Sequence, residues 1–357
     1  MATDRIAVQT DVRREFGVSI IDINRTVALI ADTATFADEF KLYTDLESVG
    51  LEFADTDEAY LLAERFFNQA GENGYLYLVP VRLLDGADPD IVGTLNQLQN
   101  NPALVWSVVV ADTDTATSAQ VLDGSLATAL YNKPYHMLFE TTDVATITAA
   151  TTDPASVNKA IYDALTGDDA LLEGNMSFIY TPTASDYQAA AIAGQFMKQD
   201  IGTQTAKFMI PLGSTAQVLT GAELAFAMQK NVNVYTGTNE QTGRSFLKEG
   251  VALKSGSYIG TSLGAIWIET NMNSNIYDLL QAKKVTIDDT GFTLLESAVT
   301  PIFTQGQTQG IIRSGTGQFT ISFAAGALPR EIVGTYTYNE GEAGHFITNN
   351  VTITQGE

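Results

Sequence analysis

A Gly-x-Ser-x-Gly pentapeptide at residues 260–264 is the pattern in this chain that could perform catalysis. In α/β-hydrolases the central serine of this pattern is the nucleophile, and an acidic residue and then a histidine follow it along the chain. The serine here is Ser262, and the residues that follow it in this order are Asp278, Asp288, Asp289 and His345. The order permits a serine hydrolase centred on Ser262 as one interpretation.

The residues around Ser262 favour close packing of a helix over catalysis. A hydrolase elbow needs a strand that runs directly into the serine and a strained turn, whereas a helical pattern already runs through Ser262. Gly256, Gly260 and Gly264 are spaced by four residues, so they lie on one helix face where another backbone can approach closely. We therefore expect these three glycines to serve packing.

Metal and cofactor chemistry has little support in the sequence. The chain has no cysteine and only two histidines, which excludes thiolate sites and disfavours a histidine-built one. His136 lies inside an apolar run, and we expect a hydrogen-bonded structural histidine there. The acidic clusters lack the spacing and glycine of a calcium loop, so we expect solvated turns; they are Asp85, Asp88 and Asp90, and Asp112 with Asp114. No phosphate-binding motif is present, and we expect no metal and no cofactor.

Charge and hydropathy exclude two further classes. The net charge of the 357 residues is -23, which is incompatible with wrapping nucleic acid through its phosphates. Of the 42 acidic residues 28 precede Met176, against 9 of the 19 basic ones, so the first half of the chain carries most of the charge. No window is long and apolar enough for a membrane helix, and the N-terminus lacks the apolar core of a signal peptide. We expect no membrane insertion and a product without an export signal.

Two helical patterns position the candidate residues. Apolar residues at steps of three, four or seven predict a helix of about 40 Å from Ser257 to Lys284. Lys283 and Lys284 end it, either because cations suit a helix C-terminus or because they contact an acidic partner. A short polar turn at 287–291 predicts the start of a second helix, which ends before Gly310.

The rest of the chain predicts a mixed α/β fold. Apolar strand-like runs alternate with helical patterns up to about residue 236, which indicates a sheet covered on both faces. The predicted strands are 27–31, 75–81, 104–111, 135–140, 176–181, 206–212 and 231–236, with 246–253 after them. The predicted helices between them are 56–70, 89–99, 115–130, 154–165, 185–198 and 221–229. After Ile311 the chain is β-rich, with alternating strands at 318–324, 332–338 and 346–354.

Both termini alternate between apolar and polar residues. Residues 1–23 are either a frayed terminus or an extended arm that adds a strand to another subunit's sheet. The last predicted strand would expose an unpaired edge to other chains unless something covers it. In a polymer this strand could itself cover the exposed edge.

Two blocks of the sequence resemble contractile-tail sheath proteins of tailed phages, the myovirus tail sheath family. The first runs from Leu42 to Val81 and contains EAYLLAERFFNQ followed by the strand YLYLVPV. The second runs from Leu247 to Ile312 and contains GSYIG, a long helix with a tryptophan, VTIDDTGFTLLESAV and GQTQGII. The order and spacing of the blocks match the family, although a chain of 357 residues is short for a sheath protein.

The resemblance implies a structural subunit rather than an enzyme. Such a subunit forms six-fold rings that stack helically around a tail tube, and contraction drives the tube through the host envelope and leads to genome ejection. It implies partners in the tube, baseplate and tail terminator proteins, a place in the virion tail after assembly in the host cytoplasm, and no nucleotide. Lys283 and Lys284 would face the tube.

The resemblance also implies a domain organisation: an N-terminal arm (1–23), an outer acidic α/β domain (24–182), an inner domain facing the tube (183–345) and a C-terminal arm strand (346–357). The arms would exchange strands between subunits through Ile6, Val8, Val12, Phe346, Ile347, Val351 and Ile353. The rival interpretations are the hydrolase centred on Ser262 and a non-polymerising α/β binding module.

Overall fold

The computed structural model describes residues 25–30, 40–71, 74–84, 88–98, 107–110, 136–142, 144–148, 176–183, 186–198, 201–237, 244–253, 257–328 and 330–341. These residues form a mixed α/β fold around an eight-stranded sheet, as the sequence predicts. The strands are β1 (Arg25–Ile30), β2 (Lys41–Tyr43), β3 (Tyr75–Pro80), β4 (Arg82–Leu84), β5 (Asp88–Asp90), β6 (Ser107–Val110), β7 (His136–Thr141), β8 (Met176–Tyr180), β9 (Val232–Thr236), β10 (Phe246–Leu247), β11 (Phe319–Ala325) and β12 (Ile332–Tyr338). The helices are α1 (Leu46–Gly50), α2 (Glu58–Ala70), α3 (Ile91–Leu98), α4 (Ala145–Thr148), α5 (Gln188–Met197), α6 (Gly221–Gln229), α7 (Ile259–Ala282) and α8 (Asp289–Gln309).

The large sheet has the strand order β10-β9-β8-β7-β6-β1-β3-β2. Its six inner strands are parallel, and the antiparallel strands β2 and β10 lie at the two ends. Every residue of β7 and β8 is buried. Burial on both faces explains why the inner strands read as continuous apolar runs rather than alternating ones.

Helices α2 and α5 pack closely against each other over this sheet. Helix α5 is rich in alanine and buried over nearly its whole length. A Cβ atom at Gly194 of α5 would lie 2.3 Å from the carbonyl oxygen of Phe66 in α2. Only glycine therefore fits at this crossing, and small residues let the two backbones meet.

Helices α7 and α8 are the two long helices that the sequence predicts. The Asp288 carboxylate caps α8 by accepting from Gly291 N at 2.9 Å. This backbone N–H, together with the Thr286 hydroxyl, holds the pKa of Asp288 below its usual range. Gly310 ends α8 in the left-handed conformation (φ 82°), as is common at helix C-termini.

Strands β11 and β12 form a separate antiparallel hairpin, with Phe319 opposite Tyr338 at its base. The hairpin packs on α8 through Phe303, whose ring centroid lies 5.2 Å from that of Phe319 and 6.1 Å from that of Tyr338. Burial raises the pKa of Tyr338 to about 12. The predicted strands 318–324 and 332–338 are thus confirmed, whereas 346–354 lies outside the described residues.

One predicted strand is wrong and another is wrong in part. Residues 206–212 form a bend beside β10 and not a strand, and their backbone bonds there are Phe208 N to Leu247 O and Leu247 N to Met209 O. Phe208 has a φ of 74°, which breaks an extended chain. The apolar run at 208–212 lies partly against the helix layer, where Gln69 Nε2 donates to Ile210 O at 3.4 Å. The predicted strand 246–253 pairs only over β10 and an isolated bridge from Val251 to Tyr258.

Strands on both sides of residue 182 belong to the same large sheet, since six of its strands precede this residue and β9 and β10 follow it. A division at 182/183 would therefore separate neighbouring strands, and the domain boundaries stay a prediction. None of the helices in the described part of the chain has the length and apolarity that a membrane span requires.

Candidate functional site

Ser262 lies in the first turns of α7, and its hydroxyl oxygen is 2.8 Å from Nδ1 of His136 at the start of β7. Both residues are buried, with exposed fractions of 8% and 0%. The structure thus pairs Ser262 with a histidine that precedes it in the chain, which departs from the hydrolase order. Asp278 lies about 24 Å further along the same helix, too far for a triad. Asp288 caps α8, and His345 lies outside the described residues.

The other ring nitrogen of His136, Nε2, lies 3.0 Å from the Ser177 hydroxyl of β8. Ser177 Oγ donates its proton to Val251 O at 3.0 Å, so it accepts from Nε2–H. The imidazole then carries its proton on Nε2, and Nδ1 accepts from Ser262. Burial lowers the pKa of His136 to about 3, which keeps the ring neutral. The expectation of a hydrogen-bonded structural histidine at His136 is confirmed.

This serine–histidine contact lacks the surroundings that nucleophilic catalysis needs. In a triad a carboxylate orients the histidine and stabilises its charged form, whereas here the second partner is the Ser177 hydroxyl. Charge on the ring would be costly at full burial. A cleft of about 1020 Å³ runs past Gly260 and Thr261, but Ser262 and His136 are not among its lining residues. The geometry fits a structural hydrogen bond that joins α7 to the sheet.

Two of the three predicted packing glycines lie against neighbouring chain segments. A Cβ at Gly264 would lie 2.8 Å from Cγ2 of Ile311, and one at Gly260 would lie 3.1 Å from Gln204 O. Gly256 lies outside the described residues. The helix face that carries Gly260 and Gly264 thus contacts one residue that precedes α7 in the chain and one that follows α8. The packing role of these glycines stays a prediction, which mutagenesis can test.

Lys283 and Lys284 lie on an exposed corner where α7 ends and the link to α8 begins. Lys283 N donates to Leu279 O at 2.9 Å and closes the helix. Leu280 and Ile287 beside them are also exposed, at 48% and 44%. The corner therefore combines two cations with two large apolar side chains, a composition suited to a protein contact.

The acidic clusters carry no metal geometry in the part that the structure describes. Within those residues no group of three or more histidine, aspartate or glutamate side chains could hold a metal ion. Asp90 instead accepts from Gly93 N at 2.7 Å and caps α3. Asp85, Asp112 and Asp114 lie outside the described residues, as do all seven residues predicted to exchange strands.

The fold is similar to solved structures of contractile injection machinery. A chain of the anti-feeding prophage baseplate, six-fold symmetrised, matches with a TM-score of 0.68 and 14% identity over 95% of both chains. The anti-feeding prophage helical sheath in its contracted state matches with a TM-score of 0.65 and 15% identity over 92% of both chains. The contracted PVC sheath complex, an extracellular contractile injection system, matches with a TM-score of 0.62 and 11% identity over 92% of this chain and 91% of that one. No family model and no curated protein matches the sequence.

The predicted resemblance to sheath proteins is confirmed at the level of the fold. The likeness extends over almost the whole chain, whereas the sequence blocks that carried the resemblance cover only Leu42–Val81 and Leu247–Ile312.

Sequence reasoning missed the surface formed by residues 206–212. Phe208, Ile210 and Leu212 are exposed at 49%, 41% and 53%, while the residues between them are buried. The sequence shows a continuous apolar run at 208–212, which predicts a strand and does not show which of its side chains are exposed. Nothing in the sequence signals the positive φ of Phe208, because bulky residues rarely adopt it.

Proposed function

We propose that this chain is the structural subunit of a contractile tail sheath. It polymerises as stacked hexameric rings around an inner tube, and contraction of the polymer drives the tube through a host envelope. The observation that carries the proposal is the fold likeness to sheath chains over nine-tenths of both partners. Such coverage leaves little room for an additional catalytic domain within these 357 residues.

The hairpin of β11 and β12 is the proposed acceptor of the terminal arms. Within the described residues its two strands pair only with each other, so each has an edge open to a further strand. A two-stranded sheet is marginal alone, and added strands stabilise it. The chain leaves the hairpin at Gly341, whose N–H donates to Ile311 O at 2.8 Å. Residues 1–23 and 346–357 of neighbouring subunits supply the strands.

The corner of Lys283 and Lys284 is the proposed contact with the tube, and the acidic part before residue 183 is the proposed outer domain. The further partners are the baseplate and the tail terminator, and the location is a virion tail assembled in the host cytoplasm. The mechanism needs no enzyme activity, because the energy of contraction is stored in the assembled lattice.

Sedimentation velocity of the purified chain and two arm deletions tests the proposal. The full chain is expected to form a large, concentration-dependent polymer, and deletion of residues 1–23 or of residues 346–357 is expected to leave small particles. Polymers of full size from either deletion variant would overturn the strand-exchange part. A full chain that stays monomeric at every concentration, also with the tube protein added, would overturn the sheath function.

A further inference from the structure

An exposed apolar surface lies beside β10, at one end of the large sheet. Its members are Phe208, Ile210, Leu212 and Phe246, which we call the edge patch. The rings of Phe208 and Phe246 lie 5.2 Å apart, so the patch is continuous there. The first three side chains are between 41% and 53% exposed. Large contiguous apolar surfaces of this kind mark interaction sites.

The backbone of the edge patch is strained at Phe208, whose aromatic ring is half exposed. Phe208 has a φ of 74°, in the left-handed region that a bulky residue rarely adopts. The surrounding hydrogen bonds with Leu247 hold it there and leave the ring half exposed. Strain of this kind persists at functional positions, and here its result is an aromatic ring that faces outward.

Two cations lie at the rim of the edge patch in addition to the Lys207–Glu249 ion pair, although the chain as a whole carries a net charge of -23. Lys248 Nζ lies 4.7 Å from the centroid of the Phe246 ring, and Arg244 is exposed two residues before Phe246. An apolar centre with cations at its rim fits a partner that is both apolar and acidic.

A surface with this complementary character lies at the other end of the same sheet. Leu51, directly after α1, is 83% exposed. Exposed carboxylates surround it in sequence, at Asp45, Glu47, Glu52 and Asp55, of which Glu52 is paired with Lys41 and the other three supply the acidic character. We call Leu51 and these four residues the acidic knob. The knob is attached to the end strand β2, because Tyr43 of β2 donates to Glu52 at 3.0 Å.

We propose that the edge patch of one copy of this chain binds the acidic knob of a second copy. The contact is head-to-tail, because the two surfaces are different and belong to opposite end strands of the sheet, and such contacts generate rings or helical filaments rather than closed pairs. The inference rests on the proposed function for its setting in a polymer, but the contact itself is tested separately.

Site-directed cross-linking tests the contact directly, since the natural chain has no cysteine. The full chain is prepared as Leu51→Cys and as Ile210→Cys, and each is treated with a short bismaleimide alone and as an equal mixture. We expect a cross-linked dimer in the mixture at least tenfold above either variant alone. Mixing Val144→Cys, another exposed apolar position at 56%, with Ile210→Cys is the control. A mixture no better than this control, or a dominant dimer of Leu51→Cys alone, would overturn the proposal.

A Phe208→Gly exchange in the Ile210→Cys chain separates binding from folding. Glycine adopts a positive φ without strain, which offsets the packing lost with the half-buried ring, so the thermal midpoint is expected to change little while the cross-link to Leu51→Cys is lost. An unchanged cross-link yield would show that Phe208 does not contribute to the contact. Polymers without the cross-link would contradict this inference alone, whereas the cross-link without polymers would contradict the sheath function alone.

Discussion

The hydrogen bonds from Ser262 through His136 to Ser177 join α7, β7 and β8. The sequence predicted a hydrogen-bonded histidine at His136 but not its partners. Chain order pointed to His345, because a sequence shows which residues follow a serine and not which residues face it. The contact between Ser262 and His136 depends on the packing of a helix across the N-terminal end of a parallel strand, which no local pattern encodes.

Removal of the Ser262 hydroxyl should therefore destabilise the fold rather than abolish an activity. Ser262→Ala leaves the buried Nδ1 of His136 without a donor, which costs about 1–3 kcal/mol. Ser297→Ala is the matched control, because the Ser297 hydroxyl is exposed and bonds only within α8, to Thr293 O. Urea unfolding should show the loss for Ser262→Ala and little change for the control. Labelling of the natural chain by a serine-hydrolase probe, lost in Ser262→Ala, would contradict the structural role.

The stability of the fold should depend on pH through His136. The folded pKa is about 3, below the ordinary histidine value of 6.5, so the unfolded chain binds more protons between these values. Stability is complete above pH 6.5 and falls as the pH falls, by about 2 kcal/mol at pH 5. We expect this loss in urea unfolding of His345→Gln, in which His136 is the only histidine.

The double variant His136→Gln/His345→Gln provides the comparison, since all carboxylates are shared between the two chains. The free energy of unfolding of the double variant should lack the decrease of about 2 kcal/mol that His136 causes between pH 8 and pH 5. Identical pH dependence in the two variants would show that His136 does not stay neutral in the folded protein.

At the scale of elements, glycine contacts decide how closely the helices approach. Gly194 meets a backbone oxygen of α2, and Gly264 meets the side chain of Ile311. A side chain can move aside at moderate cost, whereas a helix carbonyl cannot. Gly221, at the start of α6, has nothing within 4 Å of a Cβ atom.

These contacts predict a ranking of three glycine-to-alanine exchanges. Gly221→Ala should be neutral or slightly stabilising, Gly264→Ala should cost about 1–3 kcal/mol, and Gly194→Ala should cost the most. Alanine gains up to about 1 kcal/mol in helix propensity at each position, so any loss reports the contact. Thermal unfolding of the three variants measures the order, and equal midpoints would contradict the close crossings.

Elements with a strong period were predictable from the sequence, and those defined by distant contacts were not. The inner strands, α2, α7 and α8 follow from apolar runs and helical spacing, and Asp288 and Gly310 mark the start and end of α8. Residues 206–212 show the limit, because their apolar run predicts a strand while the backbone bends at Phe208 and bonds to Leu247 and Gln69. The edge patch could not be predicted from the sequence for the same reason, because distant contacts determine which of its side chains are exposed.

Charge is unevenly distributed over the whole molecule. The acidic residues concentrate before Met176, and Lys283 and Lys284 form an exposed basic corner elsewhere. If that corner faces an acidic tube, Lys283→Glu/Lys284→Glu should weaken tube binding by about tenfold or more at low salt, and the binding of the natural chain should weaken as salt is added. Lys198→Glu, an exposed lysine after α5, is the control. Co-sedimentation with assembled tubes measures both, and normal binding of the double variant would contradict the tube contact.

Negative-stain electron microscopy of the purified full chain at high concentration tests whether this chain polymerises into a sheath. We expect hollow tubes or stacked rings with six-fold end views. Monodisperse small particles at every concentration, with and without assembled tubes, would contradict this expectation.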